Sequence, residues 1–281
     1  VPSVPDPAKN IETVERFIDQ WQDTNSLVSP AVFAHSPYTC SPATLVKAKK
    51  LADAKGVRFF IHLAESQTEM QQIIEPRSDT PAGHLAALGL LDSNCTCIHA
   101  VWLEKSDITT LATQGAGLVT CPQSNAKLAS GLAPVADLLD QGAPVGLGTD
   151  GCASNNSLDM FREMDMLAKL QKLSRGEATA MSARQVLDCA TASGARAVGV
   201  DSIGSIGPGR RADLILVDIH QPHLVPFYNQ DLLVYGASGG DVDSVIIDGR
   251  LVMHEKQILT FSVDEVIERV NHLAKNLSPI P

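Results

Sequence analysis

From residue 31 onward the chain repeats one pattern of apolar and polar positions. A short apolar or β-branched run ends on a polar tip, and an amphipathic segment follows, with apolar positions three and four apart and a Gly or Asn at its close. The runs lie at 31–35, 57–62, 95–99, 117–121 and 144–150. Helices are predicted behind them at 41–55, 67–88 with a break between Pro76 and Pro81, 105–114, 135–141 and 155–173. Strands that alternate with helices make a parallel sheet, so the fold class is α/β. Five such units are too few for an eight-stranded barrel, yet each polar tip falls at the C-terminal end of its run, as in a TIM (β/α)8 barrel. The expectation is a partial barrel whose other strands lie upstream of Val1.

One more helix is predicted at 182–198, and then the pattern changes. From about Gly204 the chain reads as short strands and turns: strands at 212–217, 242–247 and 250–254, with Asp248-Gly249 as a tight hairpin turn. A final helix at 262–277 has Ser262 as its cap. Two domains are therefore expected, a barrel part over 1–203 and a β-rich appendage with the terminal helix over 204–281.

Composition narrows the function classes. The 281 residues are 44% hydrophobic and 19% charged, enough for a sizeable core. A net charge of −10 without a basic cluster argues against nucleic acid as a partner. No apolar run approaches the roughly 20 residues of a spanning helix, and the N-terminus lacks a signal layout, so no membrane partner is expected. Six cysteines without C-x-x-C pairs fit a reducing, cytoplasmic setting. The chain starts at Val1 without an initiator Met and is expected to be a fragment or a processed product.

The chemistry gathers at the polar tips. They carry His35 in HSPYT, His62 and Glu65 in HLAES, His99 in IHAVWL, Ser124 and Asn125 in CPQSN, and Asp150 in GTDG. Each has an ordinary alternative: a strand-end His is often a hydrogen-bonded structural residue, and Glu65 suits the first turn of a helix. Together they point to a metal centre, because imidazole nitrogen and carboxylate oxygen from different strands both bind zinc, at about 2.0–2.2 Å. Such a metal lowers the pKa of water toward about 7. Glu65, three positions after His62, is placed to carry a proton between water and substrate.

The segments HSPYTCSP, HLAES, CPQSNAKLASG and GTDGCASNNSLDMFREM resemble the signature stretches of the amidohydrolase superfamily, in its methylthioadenosine/S-adenosylhomocysteine deaminase (chlorohydrolase-like) branch. IGSIGPGRRADLILVD resembles the strand pair that returns to the β-sandwich of these enzymes. The resemblance implies that the barrel part comprises about strands 4–8 and that the appendage is the C-terminal part of a small β-sandwich. It implies His62 and Asp150 as metal ligands, with Asp150 also taking a proton from the nucleophilic water, and Glu65 as the acid/base toward a purine ring nitrogen. His99 would orient the water, and His35 would contact substrate. Ser124 and Asn125 would shape the substrate pocket rim, while Asn155 and Asn156 would hold the loop after Asp150, Asn155 counting among the substrate-binding residues. The family's His-x-His pair, which supplies two further ligands, has no counterpart here, and His220 and His223 in the β-rich tail do not replace it. This chain alone is therefore expected to be inactive.

The implied reaction is hydrolytic deamination of adenosine-type nucleosides such as 5′-methylthioadenosine or 5′-deoxyadenosine, releasing ammonia, with one divalent metal (zinc first, iron or manganese as alternatives). S-adenosylhomocysteine is ranked lower. The region that would clamp its carboxylate offers Lys9, Asn10 and then Arg16 on a helix turned away. Two other readings stay open: a guanine- or triazine-ring hydrolase of the same superfamily, and an inactive binding module. The nucleic-acid-editing zinc deaminases use His-x-Glu with Pro-Cys-x-x-Cys, which this sequence lacks. A homo-oligomer is expected from the apolar share and from family habit.

Overall fold

The computed structural model describes residues 9–275 except 26 and 78. Helix α1 (Asn10–Trp21) leads into β1 (Ala31–Ala34), α2 (Pro42–Lys55), β2 (Arg58–Leu63), α3 (Gln67–Arg77) and α4 (Pro81–Ala87). Next come β3 (Cys95–His99), α5 (Lys105–Gln114), β4 (Gly117–Thr120), α6 (Pro122–Lys127), α7 (Val135–Asp140), β5 (Val145–Leu147) and α8 (Met160–Arg175). After α9 (Ala183–Ala190) and α10 (Ala192–Ala197) lie β6 (Leu214–Val217), α11 (Asp231–Tyr235), β7 (Val242–Ile247), β8 (Arg250–His254), β9 (Gln257–Ile258) and α12 (Val263–Lys275).

The first sheet is parallel in the order β1-β2-β3-β4-β5, so each strand pairs with its sequence neighbour across a helical crossover. Alternation sorts the side chains. On β2, Phe59, Ile61 and Leu63 are fully buried in the main core, whereas Arg58, Phe60 and His62 lie on the other, partly open face. The connections are terminated by local chemistry: Ser41 caps α2 by accepting from Thr44 N–H, Pro42 occupies its first turn, and Gly56 closes it at φ 64°. Gly117 is fixed by contact, since a Cβ there would meet the Ala197 carbonyl oxygen at 1.9 Å and lift α10 off the sheet.

The second sheet is antiparallel, β6-β7-β8-β9, and Asp248-Gly249 forms the expected hairpin turn with both residues at positive φ, 50° and 76°. Ser262 accepts from Glu265 N–H at the start of α12. The expected extension of this helix to residue 277 lies outside the described residues.

Three expectations need revision. The helix expected from 155 starts at Met160, because Asp159 caps it and Asn155 uses its side chain to hold the loop. The helix expected at 182–198 breaks at Thr191 (φ −130°, ψ −99°) into α9 and α10. CPQSN is not a plain tip: Pro122 starts the short helix α6, so Ser124 and Asn125 are helical and buried.

Candidate active site

The C-terminal ends of β1, β2, β3 and β5 bring the expected residues together. The His35 and His62 rings have centroids 5.1 Å apart, and His62 and His99 are 5.3 Å apart. His99 Nε2 lies 3.9 Å from Glu65 Oε1. Asp150 joins them from the β5 loop, where Ser124 Oγ donates to its Oδ2 at 2.7 Å and Ser154 Oγ at 2.5 Å.

His99 reaches this cluster by a backbone device. In the parallel register it pairs with Leu63, so simple alternation would aim it into the core beside Cys95 and Cys97. Its φ of 73° rotates Cβ to the opposite face, toward His62. Ala64, Ala100 and Asp150 share left-handed φ values of 50°, 50° and 59° at the same end of the sheet. Non-glycine residues adopt this region at a cost of about 1–3 kcal/mol each, so surrounding contacts must impose it.

Hydrogen bonds orient both imidazoles. His62 Nδ1 faces the His35 carbonyl at 2.8 Å, and since a carbonyl only accepts, Nδ1 carries the proton and Nε2 is left as a bare acceptor. His99 Nδ1 donates to Asn125 Oδ1 at 2.9 Å, which frees its Nε2 in the same way. Burial, then the neighbouring His99, push His62 below the usual imidazole range and favour the neutral, ligating form. At Asp150 burial works upward, but the hydroxyls of Ser154 and Ser124 and the Gly151 N–H outweigh it and hold the carboxyl below its usual value.

The cluster fits a divalent cation in part. His62 Nε2 with its Nδ1–H anchored on a carbonyl is the arrangement of a metal-binding histidine, and Asp150 offers a carboxylate kept ionised. Two donors do not complete a four-coordinate shell, and among the described residues no set of three or more His, Cys, Asp or Glu side chains is arranged to hold a metal.

Other expected residues meet protein groups. Ser124 holds Asp150 and Asn125 holds His99, while Asn155 Nδ2 donates to the Thr149 carbonyl and to Glu163 Oε1, both at 2.6 Å. All three thus bond to the site's own residues. Asn156 donates to the Cys152 carbonyl and accepts from Lys127, tying down the same loop. His35 Nδ1 engages Thr39 Oγ1 at 2.8 Å. His220 and His223 lie elsewhere, each paired to an aspartate, Asp218 and Asp241. Sequence reasoning missed Glu69 and Glu163, both fully buried, and Tyr38, whose phenol is pushed up by burial and by the charges of Glu69 and Glu65. In sequence the two glutamates look like routine first-turn acids, and only their burial sets them apart.

The model of the amidohydrolase family matches residues 3–252. The chain is 46% identical over 267 residues to a protein of Syntrophobacter fumaroxidans named 5-methylthioadenosine/S-adenosylhomocysteine deaminase, covering 94% of this chain and 61% of that protein. It is 38% identical over 271 residues to a 5'-deoxyadenosine deaminase of Methanosphaera stadtmanae, covering 96% and 64%. Among solved structures, an adenosine deaminase from Xanthomonas campestris with bound zinc superposes with a TM-score of 0.91 at 32% identity, over 94% of this chain and 61% of that one. The chain thus spans about three fifths of the length of these relatives.

Proposed function

The chain belongs to the amidohydrolase family, and on that basis we propose that it forms the larger part of a metal-dependent deaminase of adenosine-type nucleosides. In this reading the five parallel strands are strands four to eight of a (β/α)8 barrel over residues 1–203, and 204–281 completes a small β-sandwich with the terminal helix. The observation that carries it is the gathering of His62, Glu65, His99 and Asp150 at the C-terminal end of one sheet, with both imidazoles held through Nδ1 so that Nε2 is left as an acceptor. Relatives named as deaminases of methylthioadenosine and 5'-deoxyadenosine support the substrate class.

His62 and Asp150 would hold the cation, zinc by analogy with the bound zinc of the structural neighbour, and its remaining ligands would come from the part of the relatives' length that this chain does not span. When bound, the cation would lower the pKa of a water toward neutrality. His99 Nε2, left as an acceptor by the Nδ1 bond to Asn125, would accept a hydrogen bond from the attacking water and orient it toward the ring carbon that bears the amino group. Asp150, kept ionised by its two serines, would take a proton from that water. Glu65 would deliver a proton to the neighbouring ring nitrogen as the water oxygen bonds to the carbon, and the proton held by Asp150 would pass to the amino group, so that the C–N bond breaks, ammonia leaves and the ring keeps the oxygen. His35, braced by Thr39, contacts the base, while Ser124, Asn125 and Asn155 position Asp150, His99 and the loop between them.

The same reading favours methylthioadenosine and 5′-deoxyadenosine over S-adenosylhomocysteine. Arg16 lies exposed on α1 and donates within its own helix to Thr13, so it clamps no carboxylate in the cluster. A homo-oligomer belongs to the proposal as well, supported by the exposed apolar side chains Val266, Ile267, Val270 and Leu273 along α12. Metal analysis of the full-length protein with a nucleoside panel tests the assignment. One divalent ion per subunit and ammonia release from methylthioadenosine and 5′-deoxyadenosine are expected. Faster turnover of S-adenosylhomocysteine overturns the ranking, and no deamination of any nucleoside overturns the function.

A further inference from the structure

Three acids in the first turns of helices are buried: Glu69 on α3, Asp107 on α5 and Glu163 on α8, exposed 0%, 3% and 0%. Each grips backbone near a strand end. Asp107 accepts from Glu104 N–H and the Thr80 hydroxyl, and Glu163 from Gln123 N–H and the Asn155 amide. Glu69 grips the two residues that carry the end of β2 into the site: its Oε1 accepts from Ala64 N–H and its Oε2 from Glu65 N–H, both at 3.0 Å.

We propose that Glu69 is a positioning residue for Glu65, its buried carboxylate fixing the direction in which the Glu65 side chain leaves the backbone toward His99. The inference rests on the reading of Glu65 as the proton carrier. The geometry leaves few substitutes. Strand pairing ends at Leu63, and the left-handed turn at Ala64 (φ 50°) directs two successive N–H groups toward the protein interior. The Ala64 carbonyl is already taken by the N–H groups of Val101 and Trp102 at 3.2 and 2.8 Å. The two N–H groups are met by the two oxygens of one buried side chain, a pairing that a carboxylate makes with one oxygen for each and an amide, with a single oxygen, does not reproduce. Glu69 is itself held, since its N–H donates to Ser66 Oγ at 3.2 Å and starts the helix there. With the peptide locked on one side, Glu65 extends to 3.9 Å from His99 Nε2.

The test uses the full-length enzyme and Glu69→Gln, which keeps the shape but replaces one acceptor by an NH2 that opposes an N–H. In metal-free protein, amide hydrogen exchange at Ala64 and Glu65 should accelerate by about tenfold or more as a buried bond is lost. Unchanged exchange overturns the clamp. In metal-loaded enzyme, kcat should fall by about 10–100-fold, as expected for a misplaced group, with KM within about threefold and metal content unchanged. In a Glu65→Gln background the same substitution should cost no further activity, because its effect passes through Glu65. An equal further loss in that background overturns the proposal and leaves Glu69 merely structural. Glu65→Gln with undiminished turnover overturns the reading of Glu65 itself. An inactive Glu65→Gln beside a Glu69→Gln of unaltered kcat overturns only the positioning role. Should Glu69→Gln fail to fold, Glu69→Asp retains both oxygens one methylene short, and a normal kcat in that variant also overturns the proposal.

Discussion

The two ends of the five-stranded sheet handle polar groups in opposite ways. At the N-terminal end, the half-buried Arg58 guanidinium is used up by structure: it donates to Thr96 Oγ1 at 2.8 Å and to the carbonyls of Ser93, Cys95 and Ala197, joining β2, β3 and α10. The Ala197 carbonyl also takes the Thr96 hydroxyl at 2.8 Å. At the C-terminal end, His62 and His99 are each held through Nδ1, which leaves Nε2 an acceptor, and His99 Nε2 lies 3.9 Å from Glu65. The backbone follows the same division. The left-handed residues that lead into β2, β3, β4 and β5 are Gly56, Gly89, Gly115 and Gly142, where the conformation costs little, whereas at the other end they are Ala64, His99, Ala100 and Asp150. One end is relaxed and saturated, and the other is strained with its acceptors converging. That contrast locates a site in a sheet whose strands otherwise look alike.

Substitutions at the two ends should separate activity from stability. The largest effect is expected at the open end: in the full-length enzyme Glu65→Gln should lower kcat by about 10²–10⁴-fold with the melting temperature and metal content unchanged. Loss of metal in that variant would show that Glu65 is itself a ligand. At the saturated end, Arg58→Ala should cost about 2–4 kcal/mol of unfolding free energy, because it strips donors from buried carbonyls. The kcat of the folded fraction should stay within about twofold, and a large kcat loss without destabilisation would erase the contrast.

A smaller effect should come from pH. Burial, opposed by the Ala64 and Glu65 N–H bonds, pushes Glu69 up to about 7 from 4.5. Its folded value is the higher one, so its stabilising contribution is complete below about pH 4.5 and is lost as pH rises through about 7. The full difference is about 3 kcal/mol. Denaturant titrations between pH 5 and 8 should show part of this slope in the native protein and less in Glu69→Gln, and equal slopes would assign the pH dependence to other groups. The smallest effect is expected for Cys152→Ala. This thiol lies two residues from Asp150 but is exposed, so stability and kcat should both stay near their original values. A strong kcat loss would extend the open end beyond its present members.

Much of this was legible in the chain. Hydrophobic runs at 57–62 and 95–99 anticipate β2 and β3 to within one residue, and the parallel order follows from helices standing between strands. The identities of His62, Glu65, His99 and Asp150 were legible because polar residues that end apolar runs stand out. Asn125, Ser124 and Asn155 were visible as candidates, but their protein partners were not: which imidazole or carboxylate a side chain meets depends on where α6 turns back, which short-range pattern does not encode. Glu69 was hidden because a first-turn acid carries the same sequence signal whether it faces water or the interior. The break at Thr191 was hidden because residues 182–198 satisfy helical periodicity throughout.

By itself, then, the sequence determined the alternation of strands and helices, the end of the sheet at which chemistry gathers, and the residue types found there, since these depend on spacings of a few positions. Tertiary structure alone decided their directions. Period-two alternation places His99 with Cys95 and Cys97 in the core, and a φ of 73° turns it to His62 instead. The physical reason is that left-handed backbone at a side-chain-bearing residue is unfavourable locally and is held only by contacts made across the fold: Asn125 on His99, Glu69 on the peptide after Ala64, and Ser124 on Asp150.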